Sequence, residues 1–228
     1  MHPRLRITPS FIQGGVGKLF SIHYAPDCIT SESECFVVAS SFAEEMNRCR
    51  YMGTMLAQQL TQQNFGFLVV DAYGTGDSDG EFRDSNWEQS CQDLMTAVSY
   101  ADTLGYKQVS IMGVRLGALQ AMQISGAIKN LKRLIFWQPV INGQATLTQF
   151  LRIKIAASMQ RDEKVETTQE MEKQIENGQY ISVSGYEVGP DLFKGIKAAK
   201  FESYIGAVSV PVGWFTVISS TDRKTPRG

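Results

Sequence analysis

The sequence predicts an α/β fold: a mostly parallel sheet with helices on both faces and a helical cap inserted late in the chain. Three observations carry this expectation. Residues 35–140 alternate short apolar runs with helix-forming stretches. The runs CFVVAS, FGFLVVDAY, KQVSIMG and LKRLIFWQPV are nearly continuous in apolar character, as strands buried on both faces are. From residue 141 the alternation stops, and more polar helical sequence precedes one further apolar run, PVGWFTVIS.

Taken in order, RITPSFIQ and GKLFSIHYAP alternate well enough for two antiparallel strands joined at Gly14 and Gly15. CFVVAS is the first buried strand. A helix is predicted from about Asn47 to Gln63, with Met52, Met55, Leu56 and Leu60 along one side. FGFLVVDAY is the second buried strand, followed by the Gly-rich loop GTGDSDGEFRD. Ser85 and Glu88 have capping-box spacing ahead of WEQSCQDLMTAVSYADTLG, a helix that should stop at Gly105. KQVSIMG, the Ala-rich RLGALQAMQISGAI and LKRLIFWQPV complete a strand–helix–strand unit. Right-handed crossovers then make the sheet parallel. Beyond it lie two helical stretches, the second with a capping box at Thr167 and Glu170, then a short hairpin or turn and a small helix. The expected organisation is a core over 1–140, a helical cap over 141–207 and a return strand over 208–228. A cap in that place covers the C-terminal edge of the sheet, where parallel α/β sheets bind ligands.

Composition narrows the function classes. The chain has 228 residues, 43% hydrophobic and 20% charged, which suits one domain with a real core. Lys plus Arg is 22 against 23 for Asp plus Glu, so charge gives no reason to expect nucleic acid or an anionic membrane as partner. No apolar run approaches the ~20 residues of a membrane helix. No apolar segment of a secretory leader is seen near the N-terminus. Cys28, Cys35, Cys49 and Cys91 are scattered without a CxxC, which reads as reduced thiols in a cytoplasmic protein. The glycines of GTGDSDG miss the dinucleotide fingerprint, and its acids miss EF-hand spacing. No metal and no cofactor are expected.

The informative stretch is MGVRLGALQA. Gly113 and Gly117 bracket a turn between a buried strand and a helix, the setting of the G-x-S-x-G nucleophile elbow of α/β-hydrolases. Two glycines packing a tight βα turn is the competing explanation. Arg115 stands where the serine would be. A guanidinium stays protonated and has no lone pair with which to attack a carbonyl, so Ser–His–Asp catalysis cannot run from this position. A fixed cation at a helix N-terminus fits an anion anchor. A structural pair with Asp71, Glu44 or Glu45 is the alternative.

The other elements of such a site are read against the same fold. The loop SSFAEEMNRCR supplies the second amide of an anion hole, placing Phe42 and Leu116 as backbone donors beside Arg115. Ser41, Glu44, Glu45, Trp137 and Gln138 are expected to line the pocket; a solvated helix start equally explains the acids. Asp222 falls at the acid position of the triad, although an exposed turn Asp has the same look. The chain order of the triad requires a later histidine, yet the only histidines are His2 and His23. Asp71, Gly74, Gly76 and Ser78 fill a D-x-x-G-x-G-x-S turn beside the site.

SFAEEMNRCR, DAYGTGDSDGEFRDSNWE, MGVRLGALQA, FWQPVINGQATLTQFLR and SGYEVGPDL together resemble the exosortase A system-associated hydrolase 2 family, from about Leu19 to Ser220. These are α/β-hydrolase-like proteins encoded with exopolysaccharide and exosortase loci of Gram-negative bacteria. The resemblance implies that G-x-R-x-G is a family trait and that the family continues past this chain's last strand; a C-terminally truncated chain and a sheet that ends early are the two expectations. The leading expectation is a protein that lacks the Ser and His of the triad and binds an anionic, acyl or glycosyl small molecule near Arg115. The alternatives are an esterase- or thioesterase-like hydrolase with a displaced nucleophile (Ser40, Ser41 or Ser78, with Glu44 as base), and a non-enzymatic interaction protein that docks a protein partner through its cap.

Overall fold

The computed structural model describes residues 6–161 and 165–217. Strands β1 (Arg6–Gln13) and β2 (Lys18–Ala25) form the expected antiparallel hairpin, with Gly14 N–H closing on the Gly17 carbonyl at 2.9 Å. The predicted alternation follows: β3 (Glu34–Ala39), α1 (Glu44–Gln62), β4 (Gly66–Val70), α2 (Trp87–Thr103), β5 (Gln108–Val114), α3 (Gly117–Ser125) and β6 (Leu131–Trp137). Next come α4 (Gly143–Gln160), α5 (Thr168–Glu176), the hairpin β7 (Ile181–Val183) and β8 (Tyr186–Val188), α6 (Pro190–Ala198), and β9 (Val212–Phe215). The seven-stranded sheet runs β1-β2-β4-β3-β5-β6-β9, parallel from β4 to β9 and antiparallel at β1 and β2.

The side-chain period of a strand sorts each buried strand between two layers. Val37, Leu68, Ile111 and Phe136 face α2, α3 and the α4–α6 region. Phe36, Phe67, Met112 and Val114 face α1. Both faces of the sheet therefore carry helices, as the apolar runs predict. The fold is that of the α/β-hydrolases.

Three local expectations are corrected. Helix α1 starts at Glu44, and its buried residues are Met46 and Ala57, while Met52 and Met55 are exposed. Met55 sits about half a turn around the helix from Met46 and Ala57, so they cannot share a face. The cap of α2 is Asn86, whose side chain accepts the Gln89 N–H at 2.8 Å. Ser85 instead donates to the Phe82 carbonyl at 2.6 Å, and the capping box before α2 is Glu81–Asp84 on a short 3-10 turn. The apolar character of PVGWFTVIS predicts a buried strand, yet β9 is an edge strand: Trp214 and Phe215 are exposed. The capping box at Thr167 and Glu170 forms as read, with Thr167 N–H to Glu170 Oε2 at 2.8 Å.

Candidate functional site

The elbow has the backbone geometry that its spacing predicts. A Cβ on Gly117 would lie 2.0 Å from the Ala39 carbonyl oxygen, and one on Gly113 would lie 2.6 Å from Ala118 Cα. Only glycine lets β5 turn into α3 this close to the end of β3. Between them Arg115 adopts φ +53°, a left-handed conformation that L-residues rarely hold. Its amide donates to the Trp137 carbonyl at 3.1 Å, and its carbonyl accepts from Val140 at 3.0 Å and Ala118 at 3.2 Å. The turn is thus over-determined by its neighbours, as strained site residues are.

The Arg115 side chain has partners. Nε donates to Glu45 Oε1 at 3.1 Å and Nη1 to the Gln138 carbonyl at 3.2 Å. Of the three acids considered from sequence, Glu45 is the one engaged. Asp71, almost wholly buried, accepts instead from Arg50 Nη2 at 2.8 and 2.9 Å and from the Asp77 amide at 3.1 Å. Glu44 pairs with Arg48 on the exposed face of α1 at 3.5 Å.

Two cavities flank the elbow. The first, about 340 Å³, lies under β8 and α6 and is lined by Ser41, Phe42, Phe82, Leu116, Tyr186 and Leu192 among others. Aromatic contacts close it: Phe42 stacks on Phe82 and Phe150 at 5.8 and 5.0 Å, and Phe82 on Tyr186 at 4.9 Å. Asn47 Nδ2 on α1 donates to the Tyr186 hydroxyl at 2.9 Å, tying α1 to the β7–β8 hairpin. The second, about 300 Å³, lies against α1 and is lined by Met46, Met52, Met112, Arg115, Trp137 and Gln138 among others. Ser40 and Ser41 line both.

The sequence-predicted site residues are thus divided. Phe42 and Leu116 share the first cavity, and neither amide N–H has a hydrogen-bond partner among the described residues. Arg115, Trp137 and Gln138 line the second, and Ser41 stands at the wall between them. Glu45 reaches the site only through Arg115. Asp222 and His2 lie outside the described residues. His23 is a core residue: its Nε2 meets the Tyr106 hydroxyl at 2.8 Å. Burial, and then the Arg6 charge, lower its pKa to about 4, so the ring is neutral at pH 7. Ser78 is part of a turn, donating to the Asp71 carbonyl at 2.6 Å and accepting from Phe20 N–H at 2.8 Å.

Several neighbours escaped the sequence reading. Asp93 lines the first cavity, fully buried in the middle of α2. Burial pushes its carboxyl up, against the Tyr73 amide and Gln89 Nε2, which donate to it at 2.8 and 2.7 Å. The Gln89–Asp93 spacing of four was its only sequence signal. Arg50 and Tyr186 gave none, because nothing local marks which exposed Arg or Tyr will fold back over the sheet edge. Ser41 is distinctive in a different way: its Oγ is buried without a hydrogen-bond partner among the described residues. Among the described residues, no helix is long and apolar enough to cross a membrane.

The fold recurs in solved structures. Est1E from Butyrivibrio proteoclasticus, with bound ferulic acid, superposes with a TM-score of 0.65 at 18% identity over 90% of this chain and 77% of its own. The α/β-hydrolase GrgF from a Penicillium species gives 0.62 at 14% identity, covering 92% and 79%. An esterase from Pyrococcus furiosus gives 0.60 at 15% identity, covering 92% and 69%. At these identities the likeness is one of fold. No curated protein matches the sequence. The family model of the serine aminopeptidases, S33, matches residues 32–184, which span β3 to β7 and include the elbow. The chain belongs to the serine aminopeptidase S33 family of α/β-hydrolases.

Proposed function

We propose that this protein is a ligand-binding member of its family that does not use the elbow for nucleophilic catalysis. The observation that carries the reading is Arg115 itself, in the left-handed conformation of the elbow and with its guanidinium held by Glu45 and the Gln138 carbonyl. A group that cannot give up its proton occupies the one backbone position built to present an attacking atom. Phe42 and Leu116 line the first cavity, and their amides, without partners among the described residues, are the donors for a carbonyl or carboxylate oxygen. Phe82, Tyr186 and Leu192 give that cavity an apolar body. The ligand is a small molecule with an acyl or glycosyl body and an acidic or carbonyl oxygen. Arg115, its charge already met by Glu45, lines the second cavity beside this one. Residues 141–207 act as the cap that closes over the ligand.

The resemblance to the exosortase A system-associated family supports a cytoplasmic role beside exopolysaccharide assembly, where acylated and glycosylated precursors are the available chemistry. A second reading, hydrolysis from a displaced serine, is favoured by one observation: the buried, unpartnered Ser41 hydroxyl. Against it, the described residues offer no free imidazole, since His23 is tied to Tyr106.

One experiment separates the two. The protein is incubated with a fluorophosphonate probe and its intact mass is measured. The binding reading expects no covalent adduct. An adduct mapped to Ser40, Ser41 or Ser78, with parallel turnover of 4-nitrophenyl esters, overturns it in favour of the displaced nucleophile.

A further inference from the structure

We propose that Ser41 is a specificity-determining residue of the first cavity, and that it selects a carboxylate over ligands with a single oxygen. The inference rests on the reading of that cavity as the ligand site. Among the described residues, Ser41 Oγ is the buried side-chain polar atom left without a hydrogen-bond partner, and the residue is only 6% exposed. Every other buried hydroxyl of the described residues is engaged: Ser21 with Ser10, Ser33 with Thr30, Ser85 with the Phe82 carbonyl, Ser110 with Glu34, Ser125 with the Met122 carbonyl, Tyr24 with Thr54 and Tyr106 with His23. An unmade hydrogen bond in a buried place is costly, and folds retain one where a partner arrives from outside.

The identity of that partner follows from the neighbours. Ser41 is adjacent in sequence to Phe42, which lines the same cavity as Leu116, and the amides of Phe42 and Leu116 have no hydrogen-bond partner among the described residues. Two amides and one hydroxyl without protein partners therefore belong to residues that line one cavity, while the acid on its wall, Asp93, is already held by the Tyr73 amide and Gln89. The amides can only donate, and the hydroxyl can donate as well. A ketone or aldehyde oxygen satisfies the amides and leaves Ser41 facing carbon. A carboxylate places one oxygen at the amides and offers the second to Ser41, and hydrogen bonds to an ionised acceptor are the stronger kind. Phe82, Tyr186 and Leu192 then receive the apolar body of the acid.

The test uses a matched pair of probes, 3-phenylpropanoate and 4-phenyl-2-butanone, in which a methyl group replaces one carboxylate oxygen. Binding is measured by calorimetry on the wild type and on Ser41→Ala, and thermal stability is measured alongside. The expected result is a loss of about fivefold to tenfold in carboxylate affinity in Ser41→Ala, with ketone affinity changed by less than twofold. The melting temperature should hold or rise, because the variant removes an unsatisfied hydroxyl. Equal weakening of both probes, or unchanged carboxylate affinity with a lowered melting temperature, overturns the inference and leaves the cavity reading standing. Failure of the wild type to bind either probe overturns the cavity reading, and this inference with it.

Discussion

Arg115 pairs an unfavourable backbone with a modest side-chain anchor. A left-handed φ in a non-Gly residue costs about 1–2 kcal/mol. Its ion pair with Glu45 is partly exposed, the two side chains being 28% and 42% accessible, so it contributes at most about 1 kcal/mol. The strain is held by the turn around it: the Trp137 carbonyl, the Val140 amide and two glycines that admit no Cβ. Restoring the family's nucleophile should therefore restore shape without chemistry. Arg115→Ser is expected to fold, to lose about 1 kcal/mol of stability with the Glu45 pair, and to hydrolyse 4-nitrophenyl acetate no faster than the wild type. Among the described residues no free imidazole is at hand to act as base: His23 is neutral, buried and bonded to Tyr106. A rise of a hundredfold or more in turnover would mean that a base reaches the elbow after all. At this scale the sequence was legible wherever a residue type alone decides the chemistry. GVRLG announces both the turn and the arginine that stands in it. The choice of Glu45 over Glu44 and Asp71 was not legible, because it depends on which side of α1 faces the elbow.

The elbow is a junction between elements, and its tolerance is set by how closely α3 approaches the end of β3. Gly117→Ala puts a methyl group 2.0 Å from the Ala39 carbonyl oxygen and 2.7 Å from that of Ser40, both backbone atoms that cannot swing aside. Relief requires β3 and its following loop to move, and that loop carries Ser41 and Phe42. The expected cost is about 2–3 kcal/mol, the scale of core overpacking, read as a lower urea midpoint at unchanged m-value. Gly53→Ala is the counterpart: nothing lies within 4 Å of the added methyl on α1, so removing a helical glycine should stabilise by up to about 1 kcal/mol. If Gly117→Ala costs no more than a few tenths of a kcal/mol, the close approach of α3 to β3 is wrong. Elements with a clear apolar period were readable from sequence to within a few residues, among them β3 to β6, α2 and α3. The face of α1 is not legible because Met52, Met55, Leu56 and Leu60 share one apolar stripe, whereas the sheet takes the neighbouring side, where Met46 and the small Ala57 are buried. Strand β9 was misread because an apolar run says nothing about whether a strand is inner or edge.

Across the whole molecule the two faces of the sheet are unequal. One packs α2, α3 and α4–α6 into a continuous core, while the other rests on α1 and a smaller cluster around Phe36, Phe67 and Met112. The alternation of strand and helix made this layering legible, whereas the contacts that tie distant segments together were not. His23 is the clearest of these: it sits on β2 and bonds Tyr106, just ahead of β5, across 83 residues of sequence. Its pKa gives the fold a measurable dependence on pH. The folded value is about 4 against an ordinary 6.5, because burial disfavours the charged ring and Arg6 repels it. Between those values the unfolded chain holds a proton that the folded chain refuses. Stability contributed by His23 is thus complete above about pH 6.5 and falls as pH drops towards 4, by about 3 kcal/mol in all. Urea unfolding at pH 7, 5.5 and 4.5 should show this decline in the wild type. His23→Gln keeps a polar partner for Tyr106 without a titrating ring, so it should be less stable than the wild type at pH 7 but lose less between pH 7 and 4.5. Equal slopes in the two proteins would show that His23 is protonated in the fold, and that the β2–β5 tie is not the neutral hydrogen bond described above.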